Sequence, residues 1–360
     1  MTHPPLPRLP ALVVGTGFGC RVHVPALRAA GFDIAGLVGT NVERLVRRAE
    51  VAGVPRFFTD LDEAIDQTGA VVVTVATPPG THAAIVLKAL ERGCHVICEK
   101  PMAFDANEAR AMLDAAERAG AMHLIGNEFR WQPDRALIGR AIAGGLIGEP
   151  RFLTLVQYLA FAADPETRLP RWWFDADAGG GWLGASGSHL IDQVRSWLGE
   201  FSALSAALPI VSDRRDVAED SYVLRFRMEN GVEGVIQQTA GAWGPSSALW
   251  RIAGTKGTLW AADGVVHLAD REGVRELPIP DDLVLPPQPA AEGPDSARRF
   301  SHLELGPYTR LCEALRAGID CQPLAAPVPL PTFRDGLACM EIMDAIRASA
   351  NNGGALITLR

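Results

Sequence analysis

At 360 residues, the chain is long enough for two domains or one large α/β unit, taking roughly 100–200 residues per domain. Hydrophobic residues make up 48% and charged ones 21%, the balance of an ordinary globular core. A net charge of −8 with no basic cluster longer than a pair of arginines excludes nucleic acid as a partner. Apolar runs such as AVVVTVA at 70–76 fall far short of the roughly 20 residues of a membrane span.

The opening MTHPPLPRLP is proline-rich and lacks the apolar core of a signal peptide, so a cytoplasmic protein is expected. In LPALVVGTGFGC, Leu12–Val14 read as a buried parallel strand and Gly15-Thr16-Gly17-Phe18-Gly19 as the turn after it. Gly15 permits the tight bend, and Gly17 lets the backbone approach a pyrophosphate with no Cβ in the way. A small residue, Cys20, holds the third position of the fingerprint, and a helix is expected from about Cys20–Arg21, its free N–H groups toward the phosphates. FDIAGLV (32–38) reads as the second strand and NVERLVRRAEVAG as a helix ending at Gly53. A short helix over Asp60–Asp66, the strand AVVVTVA, the helix THAAIVLKALERG and the strand CHVICE follow. DANEARAMLDAAERAG is a further helix and MHLIG a further strand. This alternation predicts a doubly wound parallel sheet of the Rossmann type.

Two details bear on ligands. Cys94 and Cys98 flank His95, but alternation puts Cys94, Val96 and Cys98 on one face of a strand, so no metal site is expected. Six cysteines at irregular spacings suit a reducing compartment. The second strand ends Val38-Gly39-Thr40-Asn41, with none of the acid that would bind an adenosine ribose diol. Arg44, Arg47 and Arg48 follow on the helix, either as a solvated face or as cations for a 2′-phosphate. The missing acid tilts the expected cofactor toward NADP over NAD.

Beyond about 150 the pattern changes. RLPRWWFDADAGGG carries Trp172 and Trp173, set to stack on a ring or cover a nicotinamide, or else to pack an interdomain seam. GGGWLGASGSHLID leads into a helix whose apolar stripe is Leu190, Ile191, Val194, Trp197 and Leu198. His189, Asp192, Gln193 and Ser196 lie opposite, toward solvent or a cleft, and Gly179–Gly181 are expected to pass beneath a cofactor. SYVLRFRMENGVEGVIQQTAG reads as strand, Asn230-Gly231 turn, strand. LWRIAGTKGTLWAADGVVHLAD holds at least two more strands, 279–299 reads as a long surface loop, and a helix over about Thr332–Ala350 and the strand ALITL close the chain. Leu224, Phe226 and Met228 share a strand face that is expected to close against a second subunit, making a homodimer or homotetramer.

GTGFG, then ATPPGTHA (76–83), then CEKP (98–101), in that order, resemble the Gfo/Idh/MocA family of oxidoreductases. The likeness extends over nearly the whole chain, through NEFRWQP (127–133), GSHLID, AGTKGTL (253–259) and PTFRDGLA (331–338). It implies a Rossmann domain over 1–126 and, over 127–360, an α/β domain built on a large, mostly antiparallel open sheet. It implies hydride transfer between NAD(P) and a secondary alcohol or ketone of a sugar, polyol or related ring. A redox-neutral glycosidase that uses NAD transiently, or a non-catalytic binder, are the alternatives, and the intact EKP speaks against the binder. By the same resemblance Gly15, Thr16, Gly17, Phe18 and Gly19 match the pyrophosphate loop. Thr40, Asn41 and Arg44 match the adenosine-ribose pocket, while Ala76, Thr77, Pro78, Pro79 and His82 border the nicotinamide ribose. Glu99, Lys100 and Pro101 form the catalytic-face motif, in which Lys100 polarises the reacting oxygen and a cis Lys100–Pro101 bond would aim it inward. His189 matches the family's proton-transfer histidine, but the aspartate that serves with it four residues earlier is Ala185 here. With that carboxylate gone, His189 is expected to titrate near its reference value of about 6.5, with Asp192 as a stand-in orienter. Arg130, Gln157, Tyr158, Arg168, Trp172, Trp173 and Ser186 complete the expected substrate side. A small molecule is the expected partner.

Overall fold

A computed structural model describes residues 7–215, 217–287, 301–322 and 328–359. The first part alternates strand and helix: β1 (Leu9–Val14), α1 (Val24–Ala29), β2 (Phe32–Val38), α2 (Val42–Val51), β3 (Phe57–Phe58) and α3 (Leu61–Thr68). β4 (Val72–Val75), α4 (His82–Glu91), β5 (His95–Cys98), α5 (Ala106–Ala119) and β6 (His123–Ile125) complete it. The strands pair in parallel in the order β3-β2-β1-β4-β5-β6. Their near-continuous apolar sequences, buried throughout β4 and at all but the first residue of β5, are what a sheet covered on both faces requires. Asn41, Asp60 and Asp105 each accept a backbone N–H as the cap of the helix that follows, which fixes where α2, α3 and α5 start. Strand order reverses between β1 and β4, and a crevice opens at the carboxyl ends of those two strands.

The second part begins with α6 (Pro133–Ala143), β7 (Pro150–Tyr158) and α7 (Ser188–Leu198). Then come β8 (Phe201–Ala207), β9 (Ser221–Met228), β10 (Glu233–Thr239), β11 (Ser247–Gly254), β12 (Gly257–Ala262), β13 (Val265–Asp270) and β14 (Gly273–Leu277). α8 (Ser301–Ile319), α9 (Phe333–Asn351) and β15 (Ile357–Thr358) end the chain. The strands form one nine-stranded sheet, antiparallel except where β7 meets β10. β9 and β10 pair as the expected hairpin, with Gly231 at positive φ in its turn. The loop expected over 279–299 is described only as far as 287; its remainder lies outside the described residues.

The sheet is half covered. Trp197 of α7 meets Trp250 of β11 at 5.7 Å between centroids, Ser349 of α9 accepts the Ala206 N–H of β8, and α6 lies against β12 and β13. Leu224, Phe226 and Met228 face this side and are buried within the chain, so they cannot be the face left for a partner. Strand alternation inverts the expectation: Val223, Arg225 and Arg227 point to the open face. There Phe152, Tyr158, Val223 and Leu249 are 48, 44, 42 and 44% exposed. Among the described residues no helix is long and apolar enough to cross a membrane.

Candidate active site

The crevice between the two sheets holds about 1710 Å³, above the roughly 300–1,000 Å³ typical of a single small-ligand pocket and suited to a dinucleotide plus a substrate. Its floor is the glycine turn. A Cβ on Gly15, at φ +114, would stand 2.3 Å from the Ala76 carbonyl oxygen, so no side chain fits. On Gly17 a Cβ would meet only Arg44 Nη2 at 3.5 Å, which leaves the backbone bare toward the crevice. The amides of Thr16, Gly17 and Phe18 make no hydrogen bond among the described residues. A bare turn with unused donors is the cradle that a pyrophosphate requires, so the site fits a dinucleotide. Thr40, Asn41, Arg44 and Arg48 line the crevice at the end of β2, while Asn41 Oδ1 accepts the Arg44 N–H at 2.9 Å. Arg47 is not on the wall.

Some assigned residues act behind the wall. Gly19 is buried, and its missing Cβ makes room for Val13, 2.8 Å away. Ala76, Thr77 and Pro78 line the crevice; Pro79, Pro101 and His82 do not. His82 is fully buried and joins the two loops: Nε2 meets the Thr77 carbonyl at 2.7 Å and Nδ1 the Pro101 carbonyl at 3.1 Å. Burial lowers its pKa against the pull of those carbonyls. It braces the ATPP and EKP loops against each other from behind the crevice wall.

Lys100 is half-buried on the wall, the Lys100–Pro101 bond is cis, and Nζ donates to the Ala185 carbonyl at 2.8 Å. Glu99, just before it, also lines the crevice and meets His23 at 3.2 Å, and His23 stacks on Tyr308 at 4.5 Å. Gly126 is required here, since a Cβ would stand 2.4 Å from Glu99 Oε1. His189 follows a wide π turn over Leu183–Gly187, lies against the Phe129 ring at 4.5 Å and is 8% exposed. Its Nδ1 has no partner among the described residues. Burial first, then the charges of Lys100 and Arg135, push its pKa well below the ordinary value. The expectation of a near-reference pKa therefore fails, because burial and then two nearby cations act where only the lost carboxylate was considered.

Asp192 does not orient this histidine. Its carboxylate is buried and takes two hydrogen bonds from Arg130, at 2.5 and 2.7 Å, while Arg130 also reaches Asp335 at 2.9 Å. Neither Arg130 nor Asp192 lines the crevice; they pin η-turn 128–131, α7 and α9 together. Breaking such a buried pair costs about 3–5 kcal/mol. α7 is buried almost all round, which overturns its expected one-sided stripe.

Gly179–Gly181 do not line the crevice. A Cβ on Gly180 would overlap the Trp172 carbonyl at 1.6 Å, and one on Gly181 would strike Glu219 at 2.0 Å, so the glycines fold this loop onto itself. The fold brings Trp172 and Trp173 to the wall, Trp173 edge-on to the buried Trp182 at 5.5 Å. Gln157, Arg168 and Ser186 also line the crevice, and Gln157 accepts from Gln238 at 2.6 Å. Tyr158 points to the open face of the sheet, one residue out of phase with Gln157.

Glu128, Phe129, Arg135, Trp182, Gln238 and Glu304 line the crevice without having been singled out from the sequence. NEFRWQP contains Glu128 and Phe129, but nothing in its spacing marks them as facing the crevice. Glu304 comes from α8, whose internal Gly306-Pro307 reads as a break and hides the helix. Burial and then Glu99 push the Glu128 carboxyl well up, against Lys100. No group of three or more metal-ligating side chains occurs among the described residues.

Comparison with known proteins agrees with this geometry. Residues 9–127 match the Gfo/Idh/MocA oxidoreductase family, NAD-binding Rossmann fold, and residues 136–260 match the Gfo/Idh/MocA C-terminal domain. The chain is 28% identical to the D-apiose dehydrogenase of Paraburkholderia graminis, covering 96% of this chain and 88% of that one. It is 31% identical to the levoglucosan dehydrogenase of Pseudarthrobacter phenanthrenivorans over 61% of this chain and 62% of that one. The structure of a levoglucosan dehydrogenase in complex with NADH and levoglucosan superposes with a TM-score of 0.81 at 26% identity, covering 98% of this chain and 99% of that one. The glycine turn, the braced EKP loop and the matched models lead to one conclusion: the chain belongs to the Gfo/Idh/MocA family of nicotinamide-dependent oxidoreductases.

Proposed function

We propose that the protein is a dehydrogenase or reductase acting on a secondary alcohol or ketone of a sugar or polyol, with Lys100 and His189 as the catalytic pair. The observation that carries this reading is their convergence on one wall: Lys100 is anchored to the Ala185 carbonyl, four residues before His189, and its charge depresses the histidine. A bound nicotinamide supplies the hydride-exchanging carbon. Lys100 stabilises negative charge on the substrate oxygen as the alcohol is oxidised, and neutral His189 accepts the hydroxyl proton. Residues 1–126 hold the nucleotide and residues 127–360 supply the substrate wall. The dehydrogenases named above support a sugar as substrate. Steady absorbance change at 340 nm with free cofactor and a sugar is expected. Glycoside cleavage without that change would replace this reading with the redox-neutral one, and binding without either reaction would leave a non-catalytic binder.

NADP(H) is expected to bind more tightly than NAD(H). Support comes from the missing acid after β2 and from Arg44 and Arg48 on the crevice wall. Fluorescence titration of both cofactors decides it. Arg44→Gln should weaken NADP(H) by roughly tenfold, as loss of a charge-assisted phosphate contact does, and leave NAD(H) unchanged. Equal affinities in the native protein would refute the preference.

A homodimer or homotetramer is expected, closed through the open sheet face that carries Phe152, Val223 and Leu249. A monomeric mass by light scattering at micromolar concentration would overturn it. Free cysteines, four of them buried, support a reducing cytoplasm.

A further inference from the structure

Arg135, on α6, is the unusual cation of the crevice. Its guanidinium lies over the Phe129 ring at 4.9 Å and the Trp250 ring at 4.6 Å. Among the described residues it makes no side-chain hydrogen bond or ion pair, and its Nη1 is buried without a partner. The buried arginines Arg130, Arg195 and Arg316 are satisfied, by Asp192 and Asp335, by Glu200 and by Asp320 in turn. The two carboxyl groups near Arg135 do not serve it. Asp134 Oδ1 is taken by the Arg135 backbone N–H at 2.9 Å, and Glu128 lies buried with Oε2 unpartnered. Aromatic faces attract a cation but leave its N–H donors unused. A partly buried charge with unused donors on a crevice wall is set to be completed by an anion.

We propose that the substrate is an acid sugar, an aldonate or uronate, whose carboxylate pairs with Arg135 while its reacting hydroxyl lies between Lys100 and His189. This deepens the dehydrogenase reading above and rests on it for the reacting end only. Arg135 stands at the same end of the crevice as the catalytic pair, since it contacts the Phe129 ring that also backs His189. A planar guanidinium offers a carboxylate two parallel N–H donors, and the unpartnered Glu128 carboxyl stands on the same wall. Ala185 places a methyl group beside the catalytic lysine and histidine, so position 185 itself adds no negative charge.

The test is calorimetric binding to the protein saturated with reduced cofactor, using five- and six-carbon aldonates and uronates against the matching neutral sugars and polyols. At least one acid is expected to bind ten times or more tighter than its neutral counterpart. Arg135→Met should weaken that acid by about a hundredfold, Arg135→Lys by less, with neutral ligands and cofactor affinity unchanged. Unchanged cofactor affinity also reports that each variant is folded; should Arg135→Met fail to fold, Arg135→Lys and Arg135→Gln carry the comparison. Neutral ligands that match or exceed every acid, no acid binding, or Arg135 variants that keep native affinity for the acid would each overturn the proposal. Acid binding that depends on Arg135 without any absorbance change at 340 nm would instead sink the dehydrogenase reading and leave the carboxylate site standing.

Discussion

Lys100→Met is expected to lower kcat by about 10²–10³-fold, the loss that follows removal of one positioned donor to a developing oxyanion. The side chain enters the crevice from the end of β5 and is held by a 2.8 Å hydrogen bond to the Ala185 carbonyl. That bond fixes the ammonium before substrate arrives, so no reorganisation is needed as charge builds on oxygen. Methionine keeps the length and apolar stem and removes the charge together with its N–H donors, the anchor to Ala185 included. Cofactor affinity should not move, because the pyrophosphate cradle is built from Gly15–Gly19 on the other side of the ATPP loop. The lysine also lowers Glu128 and His189, so both should titrate higher in the variant, which NMR of the His189 ring can read. Near-native turnover in Lys100→Met would remove the lysine from the mechanism.

What the sequence made legible is what is local. The strand–helix alternation, the GTGFG turn and the helix caps each depend on residues a few positions apart, and the structure keeps them at nearly the expected boundaries. The lining of the crevice is another matter. Arg130 finds Asp192 across 62 positions of sequence, and no periodicity announces a pairing at that distance. Asp192 therefore looked available to His189 when it was already committed to an arginine. Tyr158 and the triplet Leu224, Phe226 and Met228 show a different loss. Strand alternation names two faces but not which of them the helices cover, and here the helices cover the more apolar one. The histidine's environment was legible only as a subtraction, the carboxylate absent at position 185. Its actual neighbours, Lys100 and Arg135, come from β5's loop and from α6.

Those neighbours decide the last expectation. His189→Ala should lower turnover by about 10²–10⁴-fold, the range of a positioned general base, with cofactor affinity unchanged. The pH profile is the sharper measurement. Alcohol oxidation needs the imidazole neutral, and burial together with two flanking cations keeps it neutral well below its ordinary value. Protonation of His189 therefore cannot produce an acid limb between about pH 6 and 8, where an unperturbed histidine would place it. The native profile for kcat in the oxidation direction should be flat through that window and fall only at more acidic pH. Stability follows the same sign. A depressed histidine contributes fully above its unfolded value near 6.5 and loses that contribution as pH falls toward its folded value. Removing one cation with Lys100→Met should bring the histidine's titration upward, toward neutrality. A native profile that rises from pH 6 to 8, and loses that rise in His189→Ala, would show instead that the histidine carries an ordinary pKa in the working enzyme.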